Sequence, residues 1–265
     1  MTEIKEAVRQ RYAAAALQIA GSEGGCCGPG CCGPNEGGVS GVARYAPDEV
    51  ASLGMDPRVS LGCGNPLLLT GLEAGQTVLD LGSGAGLDVL LSARRVAPSG
   101  HAYGLDMTDE MLAVANAHKE KAEISNATFL KGTIDAIPLP DNSVDVVISN
   151  CVISLAEDKK AVLAEAFRVL VPGGRLAVSD MVEIGALPAP VKSALDSWAG
   201  CIAGTIPVEE YRRMLLDVGF SDVDVEISRE HAPSPFEGKI ASAAIRAAKP
   251  SDVRWVPELP ERREA

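Results

Sequence analysis

The chain has 265 residues, 46% of them hydrophobic and 23% charged, enough apolar length for one large α/β core or two small ones. Lys plus Arg total 24 against 36 Asp plus Glu, a formal charge of -12 that leaves no phosphate-neutralising surface and argues against nucleic acid as a partner. Aromatic residues make up 4% of the chain, so base-stacking platforms lose support as well.

In chain order, residues 4–20 predict a short amphipathic helix, and the glycine-rich stretch 21–41 that follows, with CCGPGCC at its centre, predicts a loop. Residues 47–71 are mixed and hold SLGCGNP around Cys63, which breaks any regular element. From Gln76 the pattern changes to β-branched runs alternating with helical segments. TVLDLG, HAYGLDM, ATFLKGTI, VDVVISN and GRLAVSDMV read as strands, with helices over 86–96, 109–121 and 158–170. That rhythm predicts an α/β fold, a doubly wound parallel sheet with crossover helices on both faces. Two successive helices, 189–203 and 208–218, are expected next. VDVEISRE and KIASAAIRAAK, joined by HAPSPFEG, then predict an antiparallel pair at one edge of the sheet, and the polar tail from Pro250 reads as loose.

A membrane span needs about 18 consecutive apolar residues. The longest candidate, Val144 to Ala156, is interrupted by Asp145 and Asn150, so no membrane association is expected. The N-terminus mixes acids and bases without a long apolar core, which reads as the absence of a signal peptide and a cytoplasmic protein. Seven cysteines in that compartment are ligands or redox thiols rather than a static disulfide framework.

In TVLDLGSGAGLD, Gly82, Gly84 and Gly86 with Ser83 between them stand directly after a strand and before a helix, where glycine lets backbone approach a ligand. A ligand-free tight turn is the alternative, weakened by Asp80 just before the loop and Asp106 ending the next strand, where an acid suits a ribose diol. The dinucleotide pattern G-x-G-x-x-G fails because Leu87 stands where its last glycine belongs. D-x-G-x-G-x-G followed by a strand ending in LDM resembles the class I S-adenosylmethionine-dependent methyltransferases, over residues 70–182. The resemblance implies S-adenosylmethionine as cofactor and a Rossmann-like sheet with an antiparallel edge strand. It also implies that Asp80 organises the loop around the amino-acid end, Asp106 and Met107 flank ribose and adenine, Thr133 with Ile134 covers the adenine edge, and Asn150 lies beside the methionine portion.

Whatever follows the fourth strand faces the transferring methyl, and that residue is Cys151. A half-buried packing cysteine is the plain alternative, but Cys63 and Cys201 stand with it in segments flanking the cofactor region. His101, His118 and His231 are not beside any cysteine and no C-x-x-C occurs, so mixed zinc sites are poorly supported. Three thiolates select soft ions, and thiophilic trivalent arsenic fits a pyramid of three sulfurs.

With SLGCGNP, NCVISLAEDK and a cysteine fifty residues beyond Cys151, the chain resembles the arsenite methyltransferases up to about residue 248. The resemblance implies arsenite and methylarsenite as substrates, Cys63, Cys151 and Cys201 as the As(III) ligands, and a disulfide step in which an N-terminal cysteine partners Cys63. Thioredoxin or glutathione is the implied reductant. Cys31 and Cys32 are nearest Cys63 in sequence, with Cys32 foremost, and Cys26 and Cys27 also remain open as partners. The implied organisation is an N-terminal Cys-rich segment (1–69), the cofactor domain (70–182), arsenic-binding helices with the last strands (183–250) and a tail (251–265). Two rival readings stand: a methyltransferase for a small organic acceptor, and a thiol-rich metalloid-binding protein without catalysis.

Overall fold

The structure is a computed structural model and describes residues 2–21, 45–55, 59–194, 198, 201–230 and 238–252. Cys26, Cys27, Cys31 and Cys32, with the segment 231–237 and the tail from 253, lie outside the described residues.

A seven-stranded sheet runs in the order β3-β2-β1-β4-β5-β7-β6. Its strands are β1 (Thr77–Leu81), β2 (His101–Asp106), β3 (Ala127–Lys131), β4 (Val144–Asn150), β5 (Leu170–Glu183), β6 (Ser221–Glu230) and β7 (Ile240–Ala248). The first five are mutually parallel, and β7 runs antiparallel between β5 and the outermost strand β6. The expected antiparallel pair is therefore present, its antiparallel member one place in from the edge.

Helices on both faces explain why the central strands read as near-continuous apolar runs. Alternation along each strand sends Val78, Val146, Ile148 and Ala177 to one face. There they pack on α3 (Leu87–Val96) through Leu90 and Val96. Leu79, Leu81, Val147 and Val178 face the other way. They meet α5 (Lys159–Val169) and Phe167, which packs edge-on against Phe220 with ring centroids 5.0 Å apart. Each such fully buried Leu or Ile stabilises the fold by about 1.5–3 kcal/mol.

Two further elements position the site. The N-terminal helix α1 (Glu3–Gly21) buries Val8 and Ala16 and packs along α4 (Asp109–Lys121). The other is the stretch 189–203, where one helix was expected: α6 (Ala189–Ser193) stops before the non-helical Ala194, Trp198 is again helical, and Cys201 stands in a turn at φ 61° rather than late in a helix. The turn is closed by Cys201 N–H donating to the Trp198 carbonyl at 3.0 Å. Gly204 completes it, because a Cβ there would lie 1.9 Å from the Ser154 carbonyl oxygen. Beyond it α2 (Pro47–Ser52) lies ahead of β1, and the last helix, α7 (Val208–Val218), ends at Gly219 in a left-handed conformation.

Candidate active site

At the carboxyl ends of β1, β2 and β4 lies a cavity of about 450 Å³. Its lining takes in Asp80, Gly82, Ser83, Gly84, Asp106, Met107, Thr133, Ile134, Asn150 and Cys151, which are all but one of the residues expected to hold the cofactor, together with the thiol expected to face it. The exception is Gly86. It caps α3 at φ 89°, and a Cβ there would meet Phe129 at 2.7 Å, so it serves the packing of the helix start. A Cβ on Gly84 would meet no protein atom within 4 Å, and the space beside it belongs to the cavity.

The loop amides are already spoken for. Gly82 and Ser83 N–H groups donate to the Leu105 carbonyl at 2.8 and 2.9 Å, and Gly84 N–H donates to Asp106 Oδ2 at 2.9 Å. Thr108 supplies its N–H and hydroxyl to Asp106 Oδ1 at 2.9 and 2.7 Å. Asp106 thus ties the glycine loop to the end of β2 while keeping one acceptor position, on Oδ2, for a ligand, since a carboxylate offers about four. With these N–H groups occupied, the loop suits a ligand that lacks a pyrophosphate.

Asp80, Asp88, Asp106 and Asp135 all line this cavity, with Lys5 as a facing cation. Burial pushes Asp80 well above the usual carboxylate range, and its neighbours Asp88 and Asp106 add to the shift. Burial also raises Asp88 to about 6, against hydrogen bonds from Tyr45 and Asn150. Such a chamber favours a cationic ligand, which restores these acids to their charged forms.

Asn150 does more than flank this space. Its Nδ2 donates to the Gly64 carbonyl at 2.8 Å, to Tyr45 Oη at 3.0 Å and to Asp88 at 3.3 Å, and its Oδ1 accepts from Gly64 N–H at 3.0 Å. Tyr45 Oη in turn donates to Asp88 at 2.8 Å. The carboxamide fits because residue 62 is glycine: a Cβ there would lie 2.2 Å from the Asn150 side chain. The Cys63 loop is thereby fastened to the end of β4, one residue from Cys151.

Cys63, Cys151 and Cys201 come together in one buried cluster with Val8, Leu155, Met181, Leu187 and Ile240, and all three are free thiols. Cys151 alone of the three lines the cavity, while the other two lie behind it. Cys151 sits at φ 61°, its N–H donating to the Ser179 carbonyl at 2.7 Å, and Cys201 Sγ reaches the Cys151 carbonyl at 3.3 Å as a donor. Burial pushes the Cys151 thiol well up, and hydrogen bonding with Cys201 and Cys63 adds to this. Cys201 is lowered by its bond with Cys151, against its own burial. Among the described residues no three His, Cys, Asp or Glu side chains are already closed to metal-coordinating geometry.

The family model for a methyltransferase domain matches residues 72–219, over half of the chain. An arsenite methyltransferase of Halobacterium salinarum is 41% identical over 270 residues, covering 94% of this chain and 67% of that protein. The chain belongs to the arsenite methyltransferase family. The human arsenite methyltransferase is 38% identical over 152 residues, which cover 54% of this chain and 40% of that one. Among solved structures, an arsenic(III) S-adenosylmethionine methyltransferase from Chlamydomonas reinhardtii is 35% identical with a TM-score of 0.67, covering 78% of this chain and 75% of that chain.

Sequence reasoning missed several groups in this member of the arsenite methyltransferase family. Lys5, Val8 and Tyr12 of α1 line the cavity, and Tyr12 Oη lies 3.9 Å from Cys201 Sγ, so the helix covers both cofactor space and thiols. Lys5 anchors it to Asp135 at 3.0 Å. Tyr45 and Asp88 were not expected at all. Of the four tyrosines in the chain, Tyr12 lines the cavity and Tyr45 bonds to Asn150 and Asp88, and nothing in the local sequence marks either.

Proposed function

We propose that this chain uses S-adenosylmethionine, bound in the cavity at the carboxyl edge of the sheet, to methylate arsenite held by Cys63, Cys151 and Cys201. The observation that carries the reading is that Cys151 belongs at once to the three-thiol cluster and to the cavity wall. Acidic lining and occupied loop amides support a cationic cofactor without a pyrophosphate, and a cavity of about 450 Å³ is of the right order for a nucleoside with an amino-acid arm. Asp106 would take the ribose diol, Met107, Thr133 and Ile134 the adenine, and Asp80 the amino-acid end. S-adenosylmethionine supplies there a sulfonium methyl, transferable as a methyl cation to a soft lone pair.

The protein's own part begins with ligand exchange. Arsenite arrives as a neutral trihydroxide, and each thiol proton leaves with a hydroxide as water while an As–S bond replaces As–O: three thiols in, three waters out. The raised Cys151 thiol suits this exchange, since its proton is delivered to the departing hydroxide and no isolated buried thiolate forms beforehand. Holding arsenic against the cavity wall is a matter of proximity and orientation, and no general base is required because the nucleophile loses no proton.

Return of arsenic to the trivalent state takes two electrons, which two cysteine sulfurs supply by leaving as a disulfide. Cys63 with one of Cys26, Cys27, Cys31 or Cys32, Cys32 foremost, fills that role, and a dithiol or glutathione then reduces the pair. The test is to incubate the protein with S-adenosylmethionine, arsenite and a thiol reductant and to speciate arsenic by mass. Methylated arsenicals that vanish in Cys151→Ser are expected. Cofactor binding with no methylated product would mark a metalloid-binding protein instead.

A further inference from the structure

The roof of the cavity carries a polar group that reaches the thiols. Lys5, Val8 and Tyr12 are spaced three and four residues apart on α1, which puts them on one helix face, and all three line the cavity. Lys5 holds this face down through both carboxylate oxygens of Asp135 at 3.0 Å, and the Thr2 hydroxyl bonds Glu157. Asp135 and Glu157 line the same cavity, so the helix is fastened across it, and the Tyr12 ring packs against the thiol cluster. The Tyr12 hydroxyl lies 3.9 Å from Cys201 Sγ, a long contact that the large sulfur still allows.

Proton counting fixes the direction of that contact. Cys201 spends its one S–H on the Cys151 carbonyl at 3.3 Å, so toward Tyr12 the sulfur can only accept. A sulfur without its proton can only accept as well. Burial, with the sulfurs of Cys201 and Cys151 beside it, holds the phenol well above its ordinary range, so Tyr12 keeps the proton it donates.

Exchange with arsenite removes one of these two bonds and keeps the other, and this step rests on the thiol-site reading above. The Cys201 proton leaves with an arsenite hydroxide as water while an As–S bond replaces As–O, and the sulfur then has nothing to give the Cys151 carbonyl. Two acceptors that stood 3.3 Å apart now repel, whereas the O–H of Tyr12 still has an acceptor to meet. We propose that Tyr12 is a positioning residue of the arsenic site: its hydroxyl donates to the Cys201 sulfur and draws it, once bound to arsenic, away from the Cys151 carbonyl and toward the cavity wall. The Ser154 hydroxyl also bears on Cys201, but Ser154 does not line the cavity and Tyr12 does. The helix that covers the cofactor space thereby also aims a sulfur of the arsenic site.

The decisive variant is Tyr12→Phe in the full chain, with arsenite as the probe, because it keeps the ring and its packing and removes only the donor. Loss of one hydrogen bond lowers arsenite affinity by about 5- to 10-fold in equilibrium dialysis. S-adenosylmethionine affinity and the arsenite-free melting temperature stay near parental. In protein labelled with carbon-13 at the tyrosine ζ position, the Tyr12 resonance, identified by its loss in Tyr12→Phe, moves when arsenite is added. In Cys201→Ala, which leaves Cys63 and Cys151 to bind arsenite more weakly, adding Tyr12→Phe costs no further affinity. A loss as large in that background as in the parent overturns the proposal and marks a packing role for the roof. Parental arsenite affinity in Tyr12→Phe overturns it too, and a loss in Ser154→Ala instead makes Ser154 the donor. Arsenite binding that is indifferent to Cys151→Ser refutes the thiol site itself, and the proposal falls with it; Cys151-dependent binding with an indifferent Tyr12→Phe refutes the proposal alone.

Discussion

Asn150→Ala separates the two tasks of the residue that ends β4. The carboxamide holds both backbone groups of Gly64, at 2.8 and 3.0 Å, so its removal leaves the N–H of the Cys63 loop unpaired and its carbonyl with only a long 3.5 Å contact from Tyr45 Oη. Each such loss is worth about 1–3 kcal/mol when the group stays dry. The adjoining cavity admits water, which places the sum near the low end, about 2 kcal/mol. For a domain of this size that corresponds to a melting temperature lower by about 4–8 °C. The same 2 kcal/mol, if it goes into re-forming the loop around arsenic, weakens arsenite binding by roughly 30-fold. Thermal melting and equilibrium dialysis with arsenic quantified by mass spectrometry read the two effects separately. Asn150→Asp is expected to be worse than Ala, since it sets a second carboxylate against Asp88 and removes the donors to Tyr45 and Gly64. A full thermal loss with parental arsenite affinity would refute the claim that Asn150 acts through the position of Cys63.

Cys63→Ser is expected to lose activity on arsenite yet keep part of it on methylarsenite, whose third bond is to carbon and which needs only Cys151 and Cys201; product speciation on both substrates checks this, and equal loss on both defeats it. Gly84→Ala puts a Cβ into the cavity at a residue with φ 50°, so S-adenosylmethionine affinity falls about 10-fold for a stability loss of about 1 kcal/mol, and calorimetry showing parental affinity contradicts the loop's role. Asp88, pushed up to about 6 by burial, binds its proton more tightly in the fold than in the unfolded chain. Its contribution to stability is therefore present at low pH and lost as pH rises through about 6. A carbon-13 titration of the aspartate carboxyls should show a midpoint near 6, and none above the ordinary range would disprove it.

Much of the cofactor half was legible in the chain because its signals are local. Strand, glycine loop and helix start lie within a dozen residues, and the acid ending the next strand follows from the parallel register of Leu81 with Leu105. The three thiols were legible as a set by elimination, since no histidine or C-x-x-C competes for a soft ion. That set names the atoms proposed to bind arsenic, not how they meet. Only the tertiary structure decided that Cys201 reaches Cys151 from a left-handed turn and that the Cys63 loop is moored by an amide 86 residues away. It likewise decided that α1 roofs the cavity. Periodicity reports the type of an element, so it located the strands and most of the helices. Hydrogen bonds between single polar side chains on distant segments leave no period behind, and they became visible only when the sheet had brought those segments to the same end.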